Sequence, residues 1–444
     1  MQMRPLPTAA ALVALPLVAH AQLPPPQLYE EHQITGGATV ESLFTEDDLQ
    51  NFLLSSYVFV DSLDTYVDGD LLIACATDIG DHFVHWEADT GAFTEILTDF
   101  DIQAAIGGSG SGFLALGSVE LTTAGEIWFQ VSEYTGAFGG LVTQTHLVSV
   151  PLSGSWPSGY GAPTSVFNYP SDVFAPGLLR ATPIGSIDLI IDSDTCVEDA
   201  IAGIPGNGFY RWFPGASVLP VPSASFLAAA AVCSRGGPNI TGTSTAEDTG
   251  YTNMASGINR VFATHADTAG YSAPNDDGVD QEVYDGDIIT IDTNLGVASL
   301  LISKQRYIEV SNGLAGVQHT DSRSIINISL MNDWSRDRLY TFEYTYAWTD
   351  YYADTNQVVR LMQWNATTGA FEDTIATVDD LITPWTSQGI DPTYVGQFGI
   401  PYEVKVTSFE GDMKLGLDGS IYAALSPGKF ELPFHVVRIT PDNL

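Results

Sequence analysis

Short apolar runs recur along the chain in pairs, each run bounded by turn residues. The first members are DGDLLIACA (68–76), AGEIWFQV (124–131), GSIDLII (185–191), INRVFAT (258–264), RDRLYTF (336–342) and DGSIYAAL (418–425). The second members are HFVHWEADTGAF (82–93), HLVSVPLSG (146–154), GFYRWFPGAS (208–217), DIITIDTNLG (287–296), RLMQWNATTGAF (360–371) and HVVRITPDN (435–443). Alternating apolar positions read as strands, because period two sends every second side chain to one face. The Asp-Thr-Gly and Thr-Thr-Gly endings, in HWEADTGAF (85–93) and QWNATTGAF (363–371), are hairpin chemistry in which Gly takes a positive φ. Long helical periodicity is nearly absent. Six such units in register predict an all-β, six-bladed β-propeller with four-stranded antiparallel blades. The last unit runs out after its third strand. The missing outer strand is expected from the N-terminus, at about 37–44 (GATVESLF), which closes the ring.

The repeat resembles the NHL, gluconolactonase/regucalcin and streptogramin-lyase-like propellers, in which a DG-x-[IL]-[YW] strand precedes a strand ending near a Gly turn. EGDMKLGLDGSIYAAL (410–425) carries the likeness most fully. The resemblance covers most of the chain after the leader and implies the fold rather than an activity. The Glu-Gly-Pro motif that opens gluconolactonase-like proteins is missing from YVFVDSLDTYVDGD (57–70). An Ala-Asp-Thr-Gly at 88–91 is similar to the quinoprotein repeat, whose eight blades and Trp after the turn are not found here.

Met1 to Ala21 reads as a signal peptide, with Arg4 ahead of an apolar stretch and Ala19-His20-Ala21 as the cleavage site. The apolar stretch is under ~18 residues, too short to span a bilayer. A secreted or periplasmic protein is expected, with 22–444 as one propeller domain. The net charge is −39, from 54 acidic and 15 basic residues. Such a surface repels nucleic acid and anionic membrane and attracts cations. The expected partner is a glycan, a small molecule or an extracellular protein, and a monomer is expected. Of three cysteines, Cys196 and Cys233 are the plausible bridge, and Cys75 lies in an apolar strand as a buried free thiol.

Aligning the units exposes candidate chemistry. His82, His146 and His435 share one position in units one, two and six, where the others hold Gly208, Asp287 and Arg360. They read either as ligand-binding imidazoles or as structural histidines between blades. A second series runs Cys75, Val131, Ile191, His265, Glu343 and Leu425. His265 and Glu343 put ionisable groups where the others are apolar, which suits a proton-transfer pair or an internally satisfied one. By resemblance to six-bladed lactonases, Asp61 and Asp412, just ahead of two first members, read either as holding a divalent cation such as Ca²⁺ or a polar ligand in the channel, or as ordinary turn aspartates; Asp192 and Asp194, in an insertion, are further metal candidates. Tyr344 and Tyr346, in TFEYTYAWTDYYADT (341–355), could stack on sugar rings or pack as ordinary blade aromatics. No organic cofactor is expected. Two functions follow: a propeller that binds a ligand on its loop-rich face, or a metal-dependent hydrolase or lyase using His265 and Glu343.

Overall fold

The computed structural model describes residues 37–66, 68–107, 114–133, 143–152, 154, 159–171, 178–191, 208–212, 219–220, 249–267, 287–294, 297–303, 306–307, 310, 327–345, 358–397, 401–407 and 413–444. Five antiparallel sheets of four strands follow one another, each a meander in chain order. Blade one is Val58–Thr65, Leu71–Thr77, Gly80–Trp86 and Phe93–Thr98. Blade two is Leu114–Leu121, Ile127–Glu133, Thr143–Val150 and Thr164–Ser171. Blade three is Leu178–Ala181, Ile187–Ile191, Gly208–Trp212 and Leu219–Pro220. Blade four is Thr249–Ser256, Arg260–Asp267, Asp287–Asp292 and Val297–Ile302, and blade five is Asn327–Asp333, Arg338–Thr345, Val358–Asn365 and Phe371–Thr377. The first strands of these sheets are neighbours in sequence order, and Lys414–Leu415 adjoins the first strands of both blade five and blade one. The molecule is an all-β propeller.

The count of four-stranded blades is five among the described residues, where the sequence predicts six. The sixth unit belongs to a five-stranded sheet instead. Its Ile421–Pro427 pairs with His435–Pro441, while its first strand is broken into two short pieces, Val406–Thr407 and Lys414–Leu415. On the far side, Ala38–Thr45 pairs antiparallel with His435–Pro441, from Ala38 opposite Pro441 to Thr45 opposite His435. The signal segment 1–21 lies outside the described residues, as do Cys196 and Cys233.

The second strands explain why the apolar runs are continuous rather than alternating. Leu71, Ile73 and Cys75 pack toward the five-stranded sheet, with Tyr422, Ala424 and Val436. Leu72 and Ala74 point the other way, onto Ile127, Phe129 and Val131 of blade two. Ile421, Ala423 and Leu425 likewise face blade five while Tyr422 and Ala424 face blade one. A strand buried on both faces has no reason to alternate. Cys75 is a free buried thiol, as the sequence suggests, and burial holds it protonated.

The twin stretches form the same third-to-fourth-strand turn in blades one and five. Gly91 and Gly369 adopt φ of 69° and 67°, and their N–H groups donate to Glu87 and Asn365 carbonyls at 2.8 and 2.9 Å. Trp86 packs against Phe44, ring centroids 5.4 Å apart, and Trp364 stacks on Tyr307 at 5.3 Å.

Three short helices, which apolar periodicity does not reveal, follow outer strands. Thr45, Thr98 and Thr377 end strands and cap helices beginning at Glu46, Asp99 and Val378. Each Thr donates both backbone N–H and hydroxyl to one carboxylate oxygen three residues on, in Asp48, Asp101 and Asp380. The pattern Thr-x-x-Asp satisfies the free N–H groups of a first helical turn.

Candidate functional site

The two aligned series turn out to be the two sides of one cross-strand position. Cys75 stands opposite His82, Val131 opposite His146, and Leu425 opposite His435. Ile191 stands opposite Gly208, His265 opposite Asp287, and Glu343 opposite Arg360. Where the second strand gains an ionisable residue, the third strand carries one of opposite type. Glu343 is fully buried, and its Oε2 lies 3.7 Å from Nε of Arg360 in the same blade. The side chains of His265 and Tyr344 lie outside the described residues, as do Tyr346, Asp192, Asp194 and Asp412.

All three predicted histidines are buried and pinned to outer strands. Nδ1 of His82 lies 2.7 Å from Glu95 Oε1, that of His146 lies 3.3 Å from Ser165 Oγ, and that of His435 lies 2.7 Å from Ser42 Oγ. Each partner faces the residue two places after its histidine: Val84, Val148 and Val437. Burial lowers the pKa of His146 and of His435 below the ordinary imidazole value, against opposing pulls from Glu133 and Asp48. Asp61 sits at a β-bulge, between the pairs Val60/Cys75 and Ser62/Ala74, and its charge helps to raise the Cys75 thiol. Among the described residues, no three His, Cys, Asp or Glu side chains gather as a metal site.

Burial and then the nearby Asp99 raise the carboxyl of Asp81, next to His82 in sequence, to about 7. The folded protein therefore holds a proton there that the unfolded chain releases near its ordinary pKa. The stabilisation is complete at low pH and is lost as pH rises toward 7. Asp81→Asn, which cannot ionise, is expected to lose about 2–3 kcal/mol less than the wild type between pH 5 and pH 8. Urea titrations at the two pH values check this; parallel losses in both proteins would sink it.

A charged arc lies on the axis, where sequence reasoning did not put it. On each first strand one residue faces the position just past the first apolar residue of the second strand. These residues are Asp64, Glu120, Arg180, Ala255, Met331 and Lys414, opposite Leu72, Trp128, Asp188, Phe262, Tyr340 and Tyr422. Lys414, Asp64, Glu120 and Arg180 occupy consecutive first strands, and Ala255 and Met331 complete the circuit. All six are buried. Each charged residue stands five places before a glycine with positive φ: Gly69 at 84°, Gly125 at 78°, Gly185 at 78° and Gly419 at 91°. Those glycines close four matching hairpins, and Gly is favoured there because it carries no Cβ.

The hairpins fix the charges, and the charges tie strands together. Asp64 Oδ2 accepts from the Leu121 N–H at 2.5 Å, and Glu120 Oε2 accepts from the Ala181 N–H at 2.9 Å. Arg180 Nε donates to the Met254 carbonyl at 2.7 Å. Each reaches the backbone of the next first strand. Glu120 Oε1 also takes a 3.3 Å bond from Arg180 Nη1 and an ion pair from Lys414 Nζ. Burial raises the Asp64 carboxyl; Lys414 pulls it down and Glu120 pushes it up.

These residues line a cavity of about 310 Å³. Its lining includes residues of the first-to-second-strand hairpins, among them the buried Thr182 and the exposed Thr123, Trp334 and Leu417. In an antiparallel meander the end with these hairpins lies opposite the second-to-third-strand connections. The long insertions 192–207 and 268–286 belong to the latter and lie outside the described residues. Asp61 is not part of the cavity lining.

No protein-family model and no curated protein matches the chain. Among solved structures, it is similar to an oligogalacturonate lyase from Vibrio parahaemolyticus at 8% identity, covering 91% of this chain and 97% of that chain with a TM-score of 0.40. It is similar to a luciferin-regenerating enzyme at 11% identity, covering 91% and 95% with a TM-score of 0.39. A putative gluconolactonase aligns at 8% identity over 91% and 92%, with a TM-score of 0.36.

Proposed function

We propose that the protein is an exported six-bladed β-propeller, closed by its N-terminal strand, that binds a small polar ligand in its axial cavity. The observation that carries the binding reading is the arc Lys414, Asp64, Glu120 and Arg180 beside the 310 Å³ cavity. Pockets that bind small molecules combine apolar walls with a few fixed polar groups. Here the apolar wall comes from Ala255, Leu330, Met331 and Met413.

Two features support counting the five-stranded sheet as a sixth blade. Ser42 bonds His435 in the register by which outer-strand residues bond His82 and His146. Ala38–Thr45 also ends in the Thr-x-x-Asp cap that follows the outer strands of blades one and five. Export rests on the signal-like segment 1–21. The hydrolase or lyase reading needs His265 and Glu343 to act together; Glu343 lies 3.7 Å from Arg360 in its own blade, and the side chain of His265 lies outside the described residues. A glycan or protein partner on the insertion-bearing face, with or without a divalent cation, is a separate proposal resting on those loops.

Thr123→Trp tests the cavity. Thr123 is an exposed turn residue in the cavity lining, so a large side chain there obstructs the cavity without touching the core. Ligands that bind only the folded state raise its melting temperature. A panel of organic acids, amines, amino acids and sugars is expected to contain at least one class that stabilises the wild type but not Thr123→Trp. Equal stabilisation of both proteins, or none of either, rejects the reading.

A further inference from the structure

We infer that the cavity takes a small zwitterion of amino-acid size, carrying a carboxylate and an ammonium on a short apolar body. This rests on the axial-binding reading above and narrows it. The arc contains two cations and two carboxylates, so it is electroneutral as a set. A simple anion entering it meets two repelling carboxylates along with two attracting cations, and a simple amine meets the reverse. A ligand with both charges can place each beside its opposite. Like-charge contacts in such a setting oppose binding strongly enough to set specificity.

The arrangement also says which group goes where. Glu120 is already engaged by Lys414, Arg180 and the Ala181 N–H. Among the described residues, Asp64 accepts only backbone N–H groups, from Thr65 at 2.7 Å and Leu121 at 2.5 Å. It is therefore the carboxylate that an incoming ammonium would meet. Lys414 has three N–H donors and gives one to Glu120, which leaves it able to receive a ligand carboxylate. Across the cavity, Met331 and Ala255 offer an apolar wall to the ligand's body. At about 310 Å³ the space is at the small end for ligand sites, which favours an amino-acid-sized solute over an oligosaccharide.

Calorimetric titration of the full exported chain at pH 8 with four probes tests this. They are L-leucine, glycine, 4-methylpentanoate and 3-methylbutylamine, which remove in turn the apolar body, the ammonium and the carboxylate. Leucine is expected to bind at least tenfold more tightly than any of the other three. Asp64→Asn is expected to weaken leucine at least tenfold and to strengthen 4-methylpentanoate, because one of the two carboxylates that repel an anion is gone. A half-ligand that equals leucine, or an Asp64→Asn loss shared by both, overturns the zwitterion while leaving the cavity reading standing. Silence from all four probes overturns the zwitterion, and silence from the wider acid, amine and sugar panel takes the cavity reading with it.

Discussion

Lys414→Met is expected to destabilise the protein by about 3–5 kcal/mol, the range for removing one partner of a buried ion pair. Lys414 is 6% exposed and pairs with Glu120, which is 4% exposed. Methionine matches the length of the lysine stem, so packing is nearly kept and the loss reports the charge. Glu120 keeps Arg180 and the Ala181 N–H, but Asp64 loses the cation that draws its carboxyl down. The double variant Lys414→Met/Glu120→Gln is expected to recover part of the loss, because the Glu120 charge that repels Asp64 leaves together with the lysine that offset it. Urea unfolding of the two single variants and the double variant measures the coupling. A double variant as unstable as the sum of the singles would show that the two residues do not act as a pair.

The strands were legible because they are buried on both faces. LLIACA and IYAAL are apolar at every position since both faces are covered by neighbouring sheets. Gly91 and Gly369 were legible as turns because the positive φ leaves few alternatives. The two aligned series were also visible, but not that they face each other. Joining Glu343 to Arg360 needs the hairpin register, and the connections between second and third strands vary too much in length to give it.

The axis was misplaced for a definite reason. Asp61, the axial candidate from the sequence, is itself a bulge residue, and bulges interrupt the first strands at Val60/Ser62, Leu116/Val119 and Tyr251/Asn253. Each bulge adds residues without a partner and resets which side chains point inward. The usable ruler lay on the other side of the strand. Counting five back from the hairpin glycines gives Asp64, Glu120, Arg180 and Lys414 without crossing a bulge. The helices were written as Thr-x-x-Asp after outer strands, a capping signal too short to register as periodicity.

In the proposed closed ring the N-terminal strand supports the axial arc, since Lys414 belongs to the same sheet as Ala38–Thr45. Removing that strand uncovers His435–Pro441, frees His435 from Ser42, and strips Phe44 from Trp86 and Phe93. Loss of a buried Phe alone costs about 3–5 kcal/mol. The unpaired edge adds to this. The direct measurement is the melting of a chain that starts at Glu46 against one that starts at Gln22, with a peptide spanning 37–48 added back. The account predicts a fall on the order of 5–10 °C or more, reversed by the peptide. Identical melting of the two chains, indifferent to the peptide, would contradict closure of the ring by its N-terminal strand.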